Sequence, residues 1–299
     1  MIKLQHIKVL LAIEQAGSLR AASKILGVTQ PAVTKALRQA ETDLGAAIFQ
    51  RAPGGVVVTE EGTTILRRAR VIQSELFKME DDIAQTRGLG TGRLNVIVSP
   101  LAASRLIAGT MKRFRRQFAK VHVQISGGHE PMAFGPVRDG LVDLVIGPEP
   151  QGVDGAGLSV QFLVETPINV ITGRGSRWSG AHSLADLVDG DWIMIGTRAR
   201  FPYLQSRFVA QGLMPPEPML TSDSIFSVLS ILQDSDLLCT FPGLLLDQTM
   251  ANWRIAALDL TPPLDPARIV AVTASDRPPT PALQYFRDCL GQEAQNTFS

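Results

Sequence analysis

The chain has few of the features that announce an enzyme, a secreted protein or a membrane protein. Its 299 residues hold only two cysteines, Cys239 and Cys289, too few for a disulfide framework or a cysteine zinc site. Both lie in apolar stretches and read as small buried hydrophobes. No run approaches the roughly 18 consecutive apolar residues of a membrane span. No basic segment followed by an apolar one opens the chain, so a secretory signal is not expected. The four histidines, His6, His122, His129 and His182, lack metal-ligand spacing. Gly127–Glu130 (GGHE) is not a zinc-binding helix motif, and no nucleophile elbow or phosphate loop is present. Gly88–Gly92 (GLGTG) follows a helix rather than a strand, so it fails as a dinucleotide fingerprint. These absences suggest a non-enzymatic cytoplasmic protein with no metal and no cofactor.

Charge is nearly balanced, at +1 for the whole chain. It is not evenly spread: residues 1–70 carry ten Lys/Arg against five Asp/Glu, leaving the remaining residues at −4. A basic end on a slightly acidic body suits a polyanionic partner at that end. At 45% hydrophobic and 19% charged, the chain can build more than one core, and its length favours two domains.

The basic end is densely punctuated. Ser18 is a good N-cap for a helix over Leu19–Leu26, and Gly27 can end it in the left-handed conformation. Thr29 is placed to cap a second helix that has Pro31 in its first turn and stops at Gly45. Ala22, Leu26, Val28, Val33 and Leu37 predict a small shared core. A first helix over Leu4–Glu14 completes it with Ile7, Leu10, Leu11 and Ile13. Gln30, Thr34, Lys35 and Arg38 then face outward. Short polar and long basic side chains on one helix face suit a major groove, where Gln reads adenine, Arg reads guanine and Lys reaches phosphate. Ile48–Gly62 reads as two short strands about a Gly54-Gly55 turn, with Arg51 placed against a DNA backbone. Thr59 caps the following helix, which has Glu60 and Glu61 in its first turn.

Along that helix Ile65, Ala69, Ile72, Leu76, Met79, Ile83 and Thr86 recur in alternating steps of four and three. This is a heptad seam suited to a partner helix. Gly88, Gly90 and Gly92 predict a flexible hinge after it.

From residue 93 the pattern changes to strands separated by helices. Arg93–Ser99, Val121–Ser126 and Asp143–Gly147 read as strands, with one helix from Ser99-Pro100 to Phe118. Pro167–Gly173, Asp191–Gly196 and Asp236–Pro242 continue the alternation. Ala267–Ala274 and a last helix, Pro281–Leu290, read as a return to the first lobe. The alternation predicts a parallel sheet with ligands at the carboxyl ends of its strands. The two lobes are expected to connect through crossings near Phe162–Glu165 and Asp265–Arg268. Ser99 stands at a strand end, and the glycines of Ser126–Gly128 permit close backbone approach. Gly196–Phe201 and Thr221–Phe226 open helices on the opposite lobe. Together these positions suit a small organic anion.

The segments Gly17–Arg51 (GSLRAASKILGVTQPAVTKALRQAETDLGAAIFQR) and Val58–Gly62 (VTEEG) resemble the winged helix-turn-helix of LysR-type transcriptional regulators. The layout of the remainder agrees with that family over the whole chain. The resemblance implies a multidomain architecture of mixed α+β and α/β class. Residues 1–60 are the expected winged helix-turn-helix and 61–92 the dimerisation linker helix and hinge. Residues 93–299 are the expected two-lobed, periplasmic-binding-protein-like effector domain, with lobe I over 93–162 and 268–299 and lobe II over 163–267. It implies that Gln30, Pro31, Thr34 and Lys35 face the bases, with Arg38 on the same face and Arg51 near the wing. Many members carry a basic residue where this wing has Gly54-Gly55. For the effector it implies Ser99, Pro100, Gly127, Gly128, Thr197, Arg198, Ser222 and Phe226. The implied ligand is an aromatic carboxylate or sulfonate. Implied partners are double-stranded DNA, further copies of the chain as homodimer and homotetramer, and RNA polymerase. The implied action is activation of a neighbouring operon. A solute-binding receptor and an α/β enzyme with a helical appendage are the competing readings of the same body.

Overall fold

A computed structural model describes residues 1–87, 90–127, 134–149, 157–196 and 201–298. The chain divides into two compact units, Met1–Glu80 and Asp81–Ser299.

In the first unit, α1 (Leu4–Ala16), α2 (Leu19–Leu26) and α3 (Gln30–Leu44) are followed by a hairpin of β1 (Phe49–Ala52) and β2 (Gly55–Val58) and by α4 (Glu60–Thr86). Most of the punctuation works as expected. Ser18 Oγ accepts from Ala21 N at 3.2 Å, and Gly17, Gly27 and Gly45 close the three helices with φ of 68°, 65° and 67°. Thr59 Oγ1 accepts from Gly62 N at 2.8 Å and donates to Ala47 O at 2.6 Å, tying the start of α4 to the chain before the hairpin. Leu10, Ile13, Ala22, Val33, Leu37, Ala40, Ile48 and Leu66 form the shared core.

Three expectations are corrected here. Helix α1 runs on to Ala16. Val28 is exposed rather than in the core, because the turn closed by Val28 N to Ser23 O (3.1 Å) leaves its side chain outside the helix pair. Thr29 holds the N-cap position of α3, but its side chain makes no cap bond.

The hairpin packs Phe49, Val56 and Val58 on the core of this unit and is tied to the turn after α1. Val56 N donates to Gly17 O at 2.9 Å, and a Cβ on Gly55 would stand 2.2 Å from that same oxygen. Backbone cannot retreat as a side chain can, so Gly55 must stay a glycine. Gly55→Ala is expected to destabilise this unit by about 1–3 kcal/mol through forced displacement of the wing. A lowered urea midpoint would show it; an unchanged midpoint would mean that the wing is not held at Gly17.

The second unit carries one seven-stranded sheet in the order β10-β6-β11-β5-β3-β4, with β9 also on β6, and a separate parallel pair, β7-β8. Its strands are β3 (Thr91–Val98), β4 (Lys120–Gly127), β5 (Leu144–Pro148), β6 (Leu158–Gly173), β7 (Trp192–Ile195), β8 (Pro218–Ser222), β9 (Cys239–Pro242), β10 (Ile255–Leu258) and β11 (Leu264–Ala274). The expected parallel sheet is therefore a mixed one. β4 and β5 run parallel to β3, whereas β11 runs antiparallel to both β5 and β6. The chain leaves on β6 and returns on β11 in the opposite direction, so the two long strands pair side by side. Ala267 pairs Thr166 and Arg268 pairs Glu165, with register shifts on either side.

The single helix expected after Ser99 is two, α5 (Pro100–Arg105) and α6 (Ile107–Gln117), broken at Leu106, whose side chain is fully buried. Helix α7 (Phe134–Arg138) precedes β5. α8 (Phe201–Ala210), α9 (Ile225–Leu232) and α10 (Leu246–Asn252) lie among the later strands. The last helix, α11 (Pro281–Phe298), outruns its expected end at Leu290 because Ala294 continues its buried stripe.

One core joins β3, α6 and α11 around Phe114, whose ring stacks on Phe118 at 5.4 Å and meets Phe286 edge-on at 5.3 Å. A second surrounds Trp192 and Phe208. Cys239 and Cys289 are buried as anticipated, and burial pushes the Cys289 thiol up. No helix among the described residues is long and apolar enough to cross a membrane.

Candidate functional site

Helix α3 has two contrasting faces. Val33, Leu37 and Ala40 are buried on one side. On the other, Gln30, Pro31, Lys35 and Arg38 are exposed, and Thr34 is half-buried. Thr34 Oγ1 donates to Gln30 O at 3.0 Å, so its hydroxyl offers only acceptor capacity outward. These five residues, with Gln39 and Thr42, line one shallow depression of about 730 Å³. The structure thus gathers the five expected α3 residues on one surface. Gln39 and Thr42 extend the face by one turn, which their spacing from Lys35 and Arg38 could have signalled.

Asp43 sits at the far end of the helix. Gln39 donates to Asp43 Oδ1 at 3.1 Å, and that bond, ahead of the terminal ammonium, holds the Asp43 carboxyl below its ordinary range. Glu41 is turned inward, accepting from Ile48 N at 2.9 Å. Arg51 is exposed on β1, opposite Val56. Of the ten cations in residues 1–70, Arg70 is spent on an ion pair with Glu14.

Along α4 the seam divides. Ile65 packs on the core of the first unit and Ala69 is buried. Ile72, Met79 and Ile83 are 41, 55 and 49% exposed, too much for a stripe serving its own chain. The side chain of Thr86 lies outside the described residues.

In the second unit Ser99 follows β3 and is 5% exposed; its Oγ accepts from Ala102 N at 3.4 Å, and its N–H donates to Ile146 O at 2.7 Å. Pro100 is the first residue of α5, and Gly127 ends β4 beside Val98. The next strand over presents Gly147, where a Cβ would lie 3.5 Å from Ser99 Cβ. Two residues on, Glu149 N donates to Arg268 O at 2.7 Å, and Arg268 Nη1 pairs with Glu149 Oε2 at 3.0 Å. The same guanidinium lies 5.1 Å above the ring of Phe162, which is 51% exposed. Phe162, Arg268, Glu149, Gly147 and Ser99 therefore form a row across four neighbouring strands. Of these, only Ser99 is marked as a site residue by the sequence. Arg268 and Phe162 stood within the expected crossings but carried no signal of their contact.

From the later strands, Ser222 ends β8; its Oγ accepts from Ser224 N at 3.2 Å and its carbonyl accepts from Gly196 N at 2.7 Å. Phe226, on α9, is 70% exposed, with its ring 6.4 Å from Trp253. Leu101 of α5 and Ile269 of β11 share a buried cluster with Ile193, Val228 and Leu229, so the start of α5 packs toward β7 and α9. Gly128, Thr197 and Arg198 lie outside the described residues. On the return crossing, Tyr203 Oη donates to Asp265 O at 2.5 Å, and burial pushes its phenol up. No group of His, Cys, Asp or Glu that could hold a metal occurs among the described residues.

Residues 87–295 match the LysR substrate binding domain, and residues 4–63 match the bacterial regulatory helix-turn-helix proteins of the lysR family. The chain belongs to the LysR family. It is a DNA-binding transcriptional regulator with an effector-binding domain, and its family is one of regulators, not enzymes. Among curated relatives, the transcriptional regulator TdcA of Escherichia coli K12 is 23% identical over 240 residues, 80% of this chain and 77% of that protein. The crystal structure of CbnR, a LysR family regulator, superposes with a TM-score of 0.69 at 18% identity, over 98% of this chain and 99% of CbnR. Full-length CbnR in complex with its target DNA gives 0.68 at 19% identity, over 97% and 99%. At those identities the two structures show the fold of the LysR chain.

Proposed function

We propose that this LysR regulator reads a two-fold-symmetric operator with Gln30, Pro31, Thr34, Lys35 and Arg38, while Arg51 contacts the DNA backbone. One observation carries this: α3 buries Val33, Leu37 and Ala40 on one side and leaves a polar and basic face open on the other. Two chains joined along the exposed part of the α4 seam would present two such faces to one duplex. The reading includes residues 1–60 as the DNA-reading part, 61–92 as the linker and 93–299 as the effector part. Lobe I takes 93–162 and 268–299; lobe II takes 163–267. It also includes a homotetramer on DNA, contact with RNA polymerase, activation of a neighbouring operon and a cytoplasmic location. That CbnR has been crystallised with its target DNA supports the first element. The test is fluorescence anisotropy on the duplex upstream of this chain's own gene, titrated with salt against a scrambled duplex. Preferential binding that weakens steeply with salt is expected; equal binding to both duplexes would overturn the reading.

The effector in this reading is a small organic anion, an aromatic carboxylate or sulfonate, held by Ser99, Pro100, Gly127, Gly128, Thr197, Arg198, Ser222 and Phe226. Arg268, whose guanidinium lies over the exposed Phe162 ring and pairs with Glu149, stands two strands from Ser99, and such a guanidinium–ring pair suits an aromatic acid. Ser99→Ala is expected to weaken binding of benzoate or benzenesulfonate about fivefold, the size of one hydrogen bond, while DNA binding persists. Calorimetry showing equal affinity would remove Ser99 from the site.

A further inference from the structure

The expected glycine hinge meets the effector domain in an unexpected way. Gly88 lies outside the described residues, and Gly92 is not a hinge residue at all: it sits within β3, paired with Val121. The last turns of α4 belong to the second unit. Two of their side chains bond to it. Asp81 Oδ2 accepts from Arg93 N at 2.9 Å, at the start of β3. Gln85, 9% exposed, accepts through Oε1 from Ala282 N at 3.0 Å.

The second bond is a helix cap supplied from far away in sequence. The first amides of a helix have no partner within it. At the start of α11, Thr280 Oγ1 takes Leu283 N at 3.2 Å, and Gln85 takes the amide before it. Gly92 makes room for the arrangement. Its φ of 143° is glycine's, and a Cβ there would stand 2.7 Å from Gln85 Nε2 and 3.2 Å from Asp81 Cγ. α11 in turn buries Phe286 and Leu290 in the core shared with β3 and α6. Its position is thereby coupled to that of the lobe.

We infer that Asp81 and Gln85 are positioning residues that grip the linker helix, so that any displacement of β3 and α11 on effector binding passes into α4. This rests on the regulator reading above. Gln85 is a joint between effector domain and linker helix, and its bond to Ala282 makes the last turn of α4 and the first turn of α11 open together.

The experiment uses the full chain as wild type, Gln85→Ala and Gln85→Glu, the last of which keeps the acceptor for Ala282 N. Hydrogen–deuterium exchange is followed in peptides covering 81–87 and 281–286. The bend of the upstream duplex is read by end-to-end energy transfer. Gln85→Ala is expected to speed exchange about tenfold or more in both peptides and to broaden the bend distribution, with DNA affinity within about twofold of wild type. Gln85→Glu is expected to restore both. Should Gln85→Ala fold poorly, Asp81→Ala provides the same readout from the β3 side. Faster exchange at 281–286 alone, with the bend unchanged, would reduce Gln85 to a cap and overturn the joint, as would no change in either peptide. Loss of sequence preference in the wild type would count against the regulator reading instead, and the exchange data would still decide the joint.

Discussion

Gln30→Ala is expected to lower affinity for the specific duplex about five- to a hundred-and-fiftyfold, while affinity for a scrambled duplex stays within about twofold. The range follows from the roughly 1–3 kcal/mol of discrimination that a bidentate side-chain contact to a base provides. Gln30 is exposed in the first turn of α3, and its side-chain amide carries the donor and acceptor that match the adenine edge. It bears no charge, so the salt dependence of binding should be unchanged. Arg38→Ala, by contrast, should also lower the slope of log affinity against log salt, by about one if its contact is to phosphate. Anisotropy titrations on both duplexes at several salt concentrations separate these outcomes. An equal loss on specific and scrambled DNA would show that Gln30 does not read a base.

The double variant Ile72→Glu/Met79→Glu is expected to be monomeric at micromolar concentration and to lose about a hundredfold or more of its operator affinity. Ile72 and Met79 are 41% and 55% exposed on the seam of α4. Carboxylates there would face their own copies across a two-fold axis, in the positions that apolar knobs need. The loss in DNA affinity follows because two linked reading heads gain about 10²–10⁴ over one by effective concentration alone. Sedimentation equilibrium gives the first result and anisotropy the second. A double variant that remained dimeric would move the pairing surface elsewhere. The first unit should keep its melting temperature, since its own part of the helix is anchored by Ile65, Leu66 and Ala69 rather than by these two residues.

Much of the DNA-reading end was legible in the sequence because its signals are local. A cap, a left-handed glycine or a proline in a first turn acts within three or four residues, and the face of α3 is a matter of helical spacing. Val28 was misassigned for the complementary reason: its apolarity fits the stripe, but turn geometry rather than spacing determines where it points. In the effector half many strands were readable from apolar runs, whereas β8, β10, the first half of β6 and the strand directions were not. β11 is antiparallel to its neighbours because the chain returns from a second lobe, and nothing in Ala267–Ala274 itself encodes a direction.

By itself, then, the sequence determined the helix-turn-helix, the seam, the two-lobed alternation and hence the family, all from relations between residues close in the chain. Only the tertiary structure decided which glycines are obligatory, where the linker helix is held and what Arg268 touches. Gly55 is required by the carbonyl of Gly17, Gln85 by an amide 197 positions later, and Arg268 by Glu149 and Phe162 on neighbouring strands. Each depends on a partner that chain folding brings near. No local preference of the residue itself reports such a partner, because the interaction energy exists only once both are in place.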